Sequence, residues 1–152
     1  MHLRSLALAA LLVLGCSVAG AQHNGLIVKS SPHGVIETAD RLEQILAEKG
    51  IDVLARFDHA ENARKVDLEL APTELLVFGN PNLGTPLMQK APTIGIDLPM
   101  KVLVFEDDRG EVWLAYNDPG WLATRHAVAD EDEIFQKMSG ALDQITDGAL
   151  AE

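Results

Sequence analysis

The sequence predicts an α+β fold of two layers, a mainly antiparallel sheet with helices packed on one face. Two observations carry this expectation. Val35, Ala39, Leu42 and Leu46 recur at i, i+4, i+7 and i+11, the stripe of an amphipathic helix between two strand-like runs. Further on, Lys101–Glu106 and Glu111–Asn117 flank Asp107-Asp108-Arg109-Gly110, a hairpin loop between two strands. Hairpins after the first crossover favour antiparallel pairing over a doubly wound sheet, which needs a helix after most strands. A length of 152 residues suits one domain with its own core. With 47% hydrophobic and only 5% aromatic residues, that core has to come from Leu, Ile, Val and Ala.

Taken in order, residues 1–21 read as a secretion signal. Arg4 is the positive start, Leu6 to Leu14 the apolar core and Ala19-Gly20-Ala21 the cleavage site. Nine apolar residues are too few to span a bilayer. The one cysteine, Cys16, lies inside this segment, so cleavage after Ala21 leaves no thiol for a disulfide or a nucleophile. Lipoprotein processing at Val13-Leu14-Gly15-Cys16 competes, although bulky Leu14 suits that pattern poorly. The expected location is periplasmic or secreted, with a lipid anchor on Cys16 as the alternative. Residues 22–152 then form a single domain.

Gly25 to Ser30 reads as a first strand. Ser31 is the expected N-cap, Pro32 the first helical position and Gly50 the stop of the following helix. Ile51 to Phe57 follows as a strand, and His59 to Lys65 suits a loop or a short helix. Pro72-Thr73 leads into the apolar strand Leu75 to Phe78, which breaks at Gly79-Asn80-Pro81. Thr85 and Pro86 read as the cap and first turn of a short helix to Lys90. After the hairpin, Asp118 and Pro119 open a short helix over 120–126. Asp130 with Glu133 resembles a capping box for a last helix, 131–147, whose stripe is Ile134, Met138, Ala141 and Ile145, with Phe135 and Leu142 alongside.

Net charge is −11, and −12 once Arg4 is removed with the acid-free leader. Counterion release needs clustered Lys and Arg, so no nucleic-acid partner is expected. The same charge disfavours an anionic membrane surface. The mature chain is expected to have no transmembrane segment.

Six pieces follow one another in order: Phe57-Asp58-His59, Phe78-Gly79-Asn80-Pro81, Gly84-Thr85-Pro86-Leu87, Ile96-Asp97-Leu98-Pro99, Tyr116-Asn117-Asp118-Pro119 and Arg125-His126. In that order they resemble the bacterial domain of unknown function family 302, over about Leu26 to Val128. The resemblance implies a compact α+β domain, a curved antiparallel sheet gripping a helix, and a homodimer. It brings no activity. On this reading the C-terminal helix lies outside the match, as a lid, a dimer element or a tail.

The candidate site residues sit at strand ends and loops. His59 is a candidate general base or ligand contact, with Asp97 as its orienting acid. The bland reading has Asp58 capping the next segment and His59 half exposed. Asn80, between Gly79 and Pro81, suits a turn closed by its own side chain. Asp97, flanked by Ile96 and Leu98, is costly to bury without a partner, which the Gly84-Thr85 turn or Arg125 would supply. Tyr116 and Asn117 end the last strand, and Arg125 suits a two-pronged grip on a carboxylate or phosphate. His126 is placed at a helix end, where the dipole favours it. No metal or cofactor is expected, since His59 and His126 are far apart and no His-x-x-x-His occurs. The favoured function is binding of a small molecule or partner where Asp58, His59, Asn80, Asp97, Tyr116, Asn117 and Arg125 converge. A hydrolase or isomerase using His59 and Asp97 is the alternative, and an assembly protein the third.

Overall fold

The computed structural model describes residues 24–128 and 132–152. The secretion signal, Cys16 and the Asp130 cap fall outside the described residues. Strand β1 is Leu26–Ser31, helix α1 Val35–Glu48, strand β2 Val53–Asp58 and helix α2 His59–Arg64. Strand β3, Thr73–Phe78, leads to helix α3, Pro81–Lys90, and a 3-10 turn over Pro92–Ile96. The hairpin of β4, Met100–Glu106, and β5, Val112–Asn117, is followed by α4, Pro119–Arg125, and α5, Asp132–Leu150. The five strands lie in the order β1-β5-β4-β3-β2, with every neighbouring pair antiparallel. The expected α+β class and antiparallel sheet are therefore what the chain adopts.

Strand alternation divides the sheet into two unlike faces. One face carries Leu76, Phe78, Val102, Val104, Leu114 and Tyr116, all buried. These join Val35, Ala39, Leu42 and Leu46 of α1 and Phe135, Met138, Leu142 and Ile145 of α5 in a single core. The other face carries Phe57, Leu75, Leu103, Ala115 and Val28, which face one another in one row across all five strands. Of that row, Phe57 and Val28 are exposed and only the small Ala115 is buried.

Several element boundaries differ from expectation by one to four residues, and two helix starts have a plain local reason. Ser31 stays in β1 opposite Val112, so α1 starts after Gly34. The Ser31 hydroxyl still serves the turn, accepting from the His33 N–H at 3.2 Å and bonding Thr38 Oγ1 at 2.6 Å. Helix α3 begins at Pro81, because the Asn80 side chain accepts from Asn82 N–H at 2.9 Å, and Pro86 lies inside the helix. Helix α5 runs on to Leu150, three residues past the expected end. The stop at Gly50 is as expected. Its φ is +67°, and Gly50 N–H donates to Ala47 while Ile51 N–H donates to Leu46, a pairing that suits glycine.

Candidate functional site

The register separates two ends of the sheet. Phe78 pairs with Met100, Val102 with Tyr116 and Leu26 with Asn117, so Asn80, Asp97, Asn117 and α4 follow or precede strand ends on one side. Asp58 pairs with Glu74 at the other end. The four steps from Glu74 to Phe78 span about 13 Å at ~3.3 Å per residue. The expected convergence is thus divided, and Asp58 and His59 do not meet the rest. Asp58 caps α2, accepting from Glu61 N–H at 2.7 Å. His59 is half-buried as the first residue of that helix. His59 and Asp97 thus lie at opposite ends of the sheet and are not paired in this structure.

Asp97 has a different histidine. Its Oδ2 lies 2.6 Å from His126 Nε2, and Oδ1 lies 3.6 Å from an Arg125 nitrogen. The far side of the His126 ring, Nδ1, meets Thr93 Oγ1 at 3.1 Å. The imidazole is 6% exposed and the Asp97 side chain 10%, whereas Arg125 is 45% exposed and lies against the Trp121 ring. The chain Thr93–His126–Asp97 joins the 3-10 turn to the end of α4. It satisfies both ring nitrogens and one carboxylate oxygen, which offsets the cost of burying them. The sequence offers the Gly84-Thr85 turn or Arg125 as partner of Asp97 and leaves His126 to the helix dipole. The one signal for His126 is its place beside Arg125 in a single motif.

Tyr116 points to the helix layer, not to a loop. Its hydroxyl donates to Asp143 Oδ1 at 2.9 Å, and the Lys29 ammonium lies 5.7 Å from its ring centre. Lys29 also reaches Asp143, Thr146 and Asp147 of α5 at 2.7–3.1 Å. Burial of the Tyr116 ring, followed by its bond to Asp143, pushes the phenol above its ordinary range. The Lys29 bond, then the Tyr116 bond, holds the Asp143 carboxyl below the usual carboxylate range. Asn117 is half-buried opposite Leu26. Among the described residues, no group of His, Cys, Asp and Glu is arranged to hold a metal ion.

Beside Asn80 lies a cleft that sequence reading missed. It has a volume of about 420 Å³ between the starts of β2 and β4, α3 and α5. Its walls are almost wholly apolar, from Leu54, Phe78, Leu83, Leu98, Leu142 and Ile145 among others. Met88, Met100 and Met138 also line it, and these are all the methionines after Met1. Unbranched thioether side chains adapt to ligands of varied shape. The polar lining is Asp52, Asn80 and Thr85, with the backbone of Gly79 and Gly84. Three methionines spread over 51 positions gave no local pattern to read.

A family model described as "Domain of unknown function DUF302" matches residues 27–145. The match takes in most of α5, which the sequence reading had left outside it. Among curated proteins, the chain is similar to fluoride-specific ion channel FluC 1 of Brucella suis, 45% identical over 114 residues. That alignment covers 75% of this chain and 45% of the relative. FluC 1 of Brucella abortus and FluC 2 of Brucella melitensis are also 45% identical over 114 residues, with 42% of each covered. The chain therefore spans less than half the length of these relatives. Among the described residues, no helix is long and apolar enough to cross a membrane. A crystal structure of an uncharacterized conserved DUF302 protein from Bacillus stearothermophilus shares the fold. Its TM-score is 0.73 at 23% identity, covering 83% of this chain and 98% of that one.

Proposed function

For this chain, which belongs to the DUF302 family of domains of unknown function, we propose an exported domain that binds an apolar small molecule in the cleft between α3 and α5. The observation that carries the reading is the cleft itself. Its volume of about 420 Å³ falls within the range of small-molecule sites, and apolar walls with a few polar groups are their usual make-up. The loop-end polar groups support the same reading from the other side. Asn80 is engaged in capping α3, and Asp97 in its bond to His126, so recognition falls to the cleft. Export rests on Arg4, the Leu6 to Leu14 run and Ala19-Gly20-Ala21. The activity in the name of the Brucella relatives is not carried over, because this chain spans less than half of their length.

The test is binding of N-phenyl-1-naphthylamine, a neutral apolar dye that brightens when water is excluded. Saturable brightening is expected with the mature protein. Ala141→Phe puts a ring into the cleft from its α5 wall, and dye affinity should fall at least tenfold with the urea midpoint kept. No saturable signal, or equal signals from both proteins, would end the reading.

A second feature favours self-association. On the uncovered face of the sheet the row Phe57, Leu75, Leu103, Ala115 and Val28 is apolar from edge to edge. Of the charged groups beside it, Lys101 is bound to the carbonyls of Asp97 and Pro99, and Asp107 accepts from Trp113 Nε1. On a chain of net charge −11, this face is where two copies meet with least repulsion.

A further inference from the structure

We propose that the cleft selects neutral and cationic amphiphiles against fatty-acid-like carboxylates, and that Asp52 at its mouth makes the selection. The inference rests on the cleft being a ligand site and adds the charge of its ligand. Asp52 directly follows the Gly50 turn, is exposed and belongs to the lining. Among the described residues, no hydrogen bond or ion pair engages its carboxylate. No lysine or arginine lines the cleft.

The cations flanking Asp52 in the chain are turned to other partners. The Lys49 ammonium lies 3.4 Å from Gln144 Oε1, and Arg56 is shared by Glu74, Asp40 and Glu43. Lys101 is bound to two backbone carbonyls. A ligand whose apolar body fills the cleft therefore leaves its head beside an unneutralised carboxylate. A carboxylate head is repelled there and an ammonium head attracted, in a field that the net charge of −11 reinforces. Across a wet mouth each effect is roughly tenfold in affinity. A neutral head feels neither and is held by the apolar walls.

Three straight-chain probes of about the same tail length and different heads test this, at pH 7.5 and low salt. Decyltrimethylammonium, decanol and decanoate compete for the naphthylamine dye with the wild-type protein and with Asp52→Asn. The expected order of wild-type affinity is cation, then alcohol, then carboxylate. In Asp52→Asn the cation and the carboxylate should both approach the alcohol, whose own affinity stays unchanged. Asp52 is exposed, so folding is not at stake. Decanoate competing as well as the cation, or an order unaltered by Asp52→Asn, would overturn the assignment while the cleft stands. A dye that never binds, in either protein, removes the cleft reading and this inference with it.

Discussion

Asp97 is a carboxylate with two nitrogen-bearing neighbours, His126 and Arg125, and exposure decides between them. His126 is 6% exposed and holds Oδ2 at 2.6 Å, whereas Arg125 is 45% exposed and stands 3.6 Å from Oδ1. A buried hydrogen-bonded partner cannot be replaced by water, but a half-exposed guanidinium nearly can. Asp97→Ala and His126→Ala are therefore each expected to cost on the order of 2–3 kcal/mol, the worth of a buried hydrogen bond to a charged group, with the double mutant losing less than the sum. Arg125→Ala should cost about 1 kcal/mol or less. Urea melts of the four proteins check this, and an Arg125→Ala loss equal to that of His126→Ala would refute it. The need of Asp97 for a partner was legible, because Ile96 and Leu98 flank it. Which of Arg125 and His126 supplied it was not, since adjacent residues on a helix end point in different directions. Asn80 was legible as a turn-closing side chain, and Asp58 as a cap.

At the scale of elements, helix faces were legible and their ends less so. The α1 stripe is buried throughout, but buried Thr38 was not foreseen, because its hydroxyl is satisfied by Ser31 across the turn. The docking of α5 on β1 and β5 was not foreseen either. It depends on Lys29 and Tyr116 meeting Asp143, more than a hundred positions from Lys29, and no local pattern encodes that. This contact gives a pH signature. The Lys29 bond first, and the Tyr116 bond second, lower the Asp143 pKa in the folded state. A lowered carboxylate pKa contributes stability above its unfolded value of about 3.9, and loses it as pH falls through the folded value. Lys29 has the opposite sign. Burial opposes its charge, but Asp147 and Asp143 outweigh burial and raise its pKa, so its contribution persists until strongly alkaline pH. Wild type should therefore exceed Asp143→Asn in stability at pH 7, and the gap should close as pH drops below about 4. Urea midpoints from pH 2.5 to 7 measure it. A gap that stays constant across that range would mean the carboxylate's charge plays no part.

At the scale of the molecule, the β4–β5 hairpin was legible because its strands are neighbours in sequence. The placement of β1 beside β5, and of β4 at the sheet's centre, was not, since those pairings close long loops. The cleft is a product of the same long-range assembly, drawing its walls from residues 51 to 145. The uncovered sheet face follows from having helices α1 and α5 on one side only, and its size sets what it does. Five strands at a spacing of ~4.8 Å, each about six residues long, give a flat footprint on the order of 400 Å². Side-chain relief enlarges this, yet it stays near or below the ~800 Å² per partner of a standard interface. Pairing through this face is therefore expected to be weak and concentration-dependent rather than obligate. Light scattering on the mature protein should move from monomer towards twice the chain mass between roughly 1 and 500 μM, a span suited to micromolar affinity. Leu103→Glu places a charge at the centre of the apolar row, and Val28→Glu places one at an exposed edge position where folding is less at risk. Both should hold the protein monomeric at the highest concentration, because an isologous pair brings each new charge in twice. A wild-type protein that stays monomeric throughout, or a Val28→Glu protein that dimerises like wild type, would remove the face from the account of this molecule.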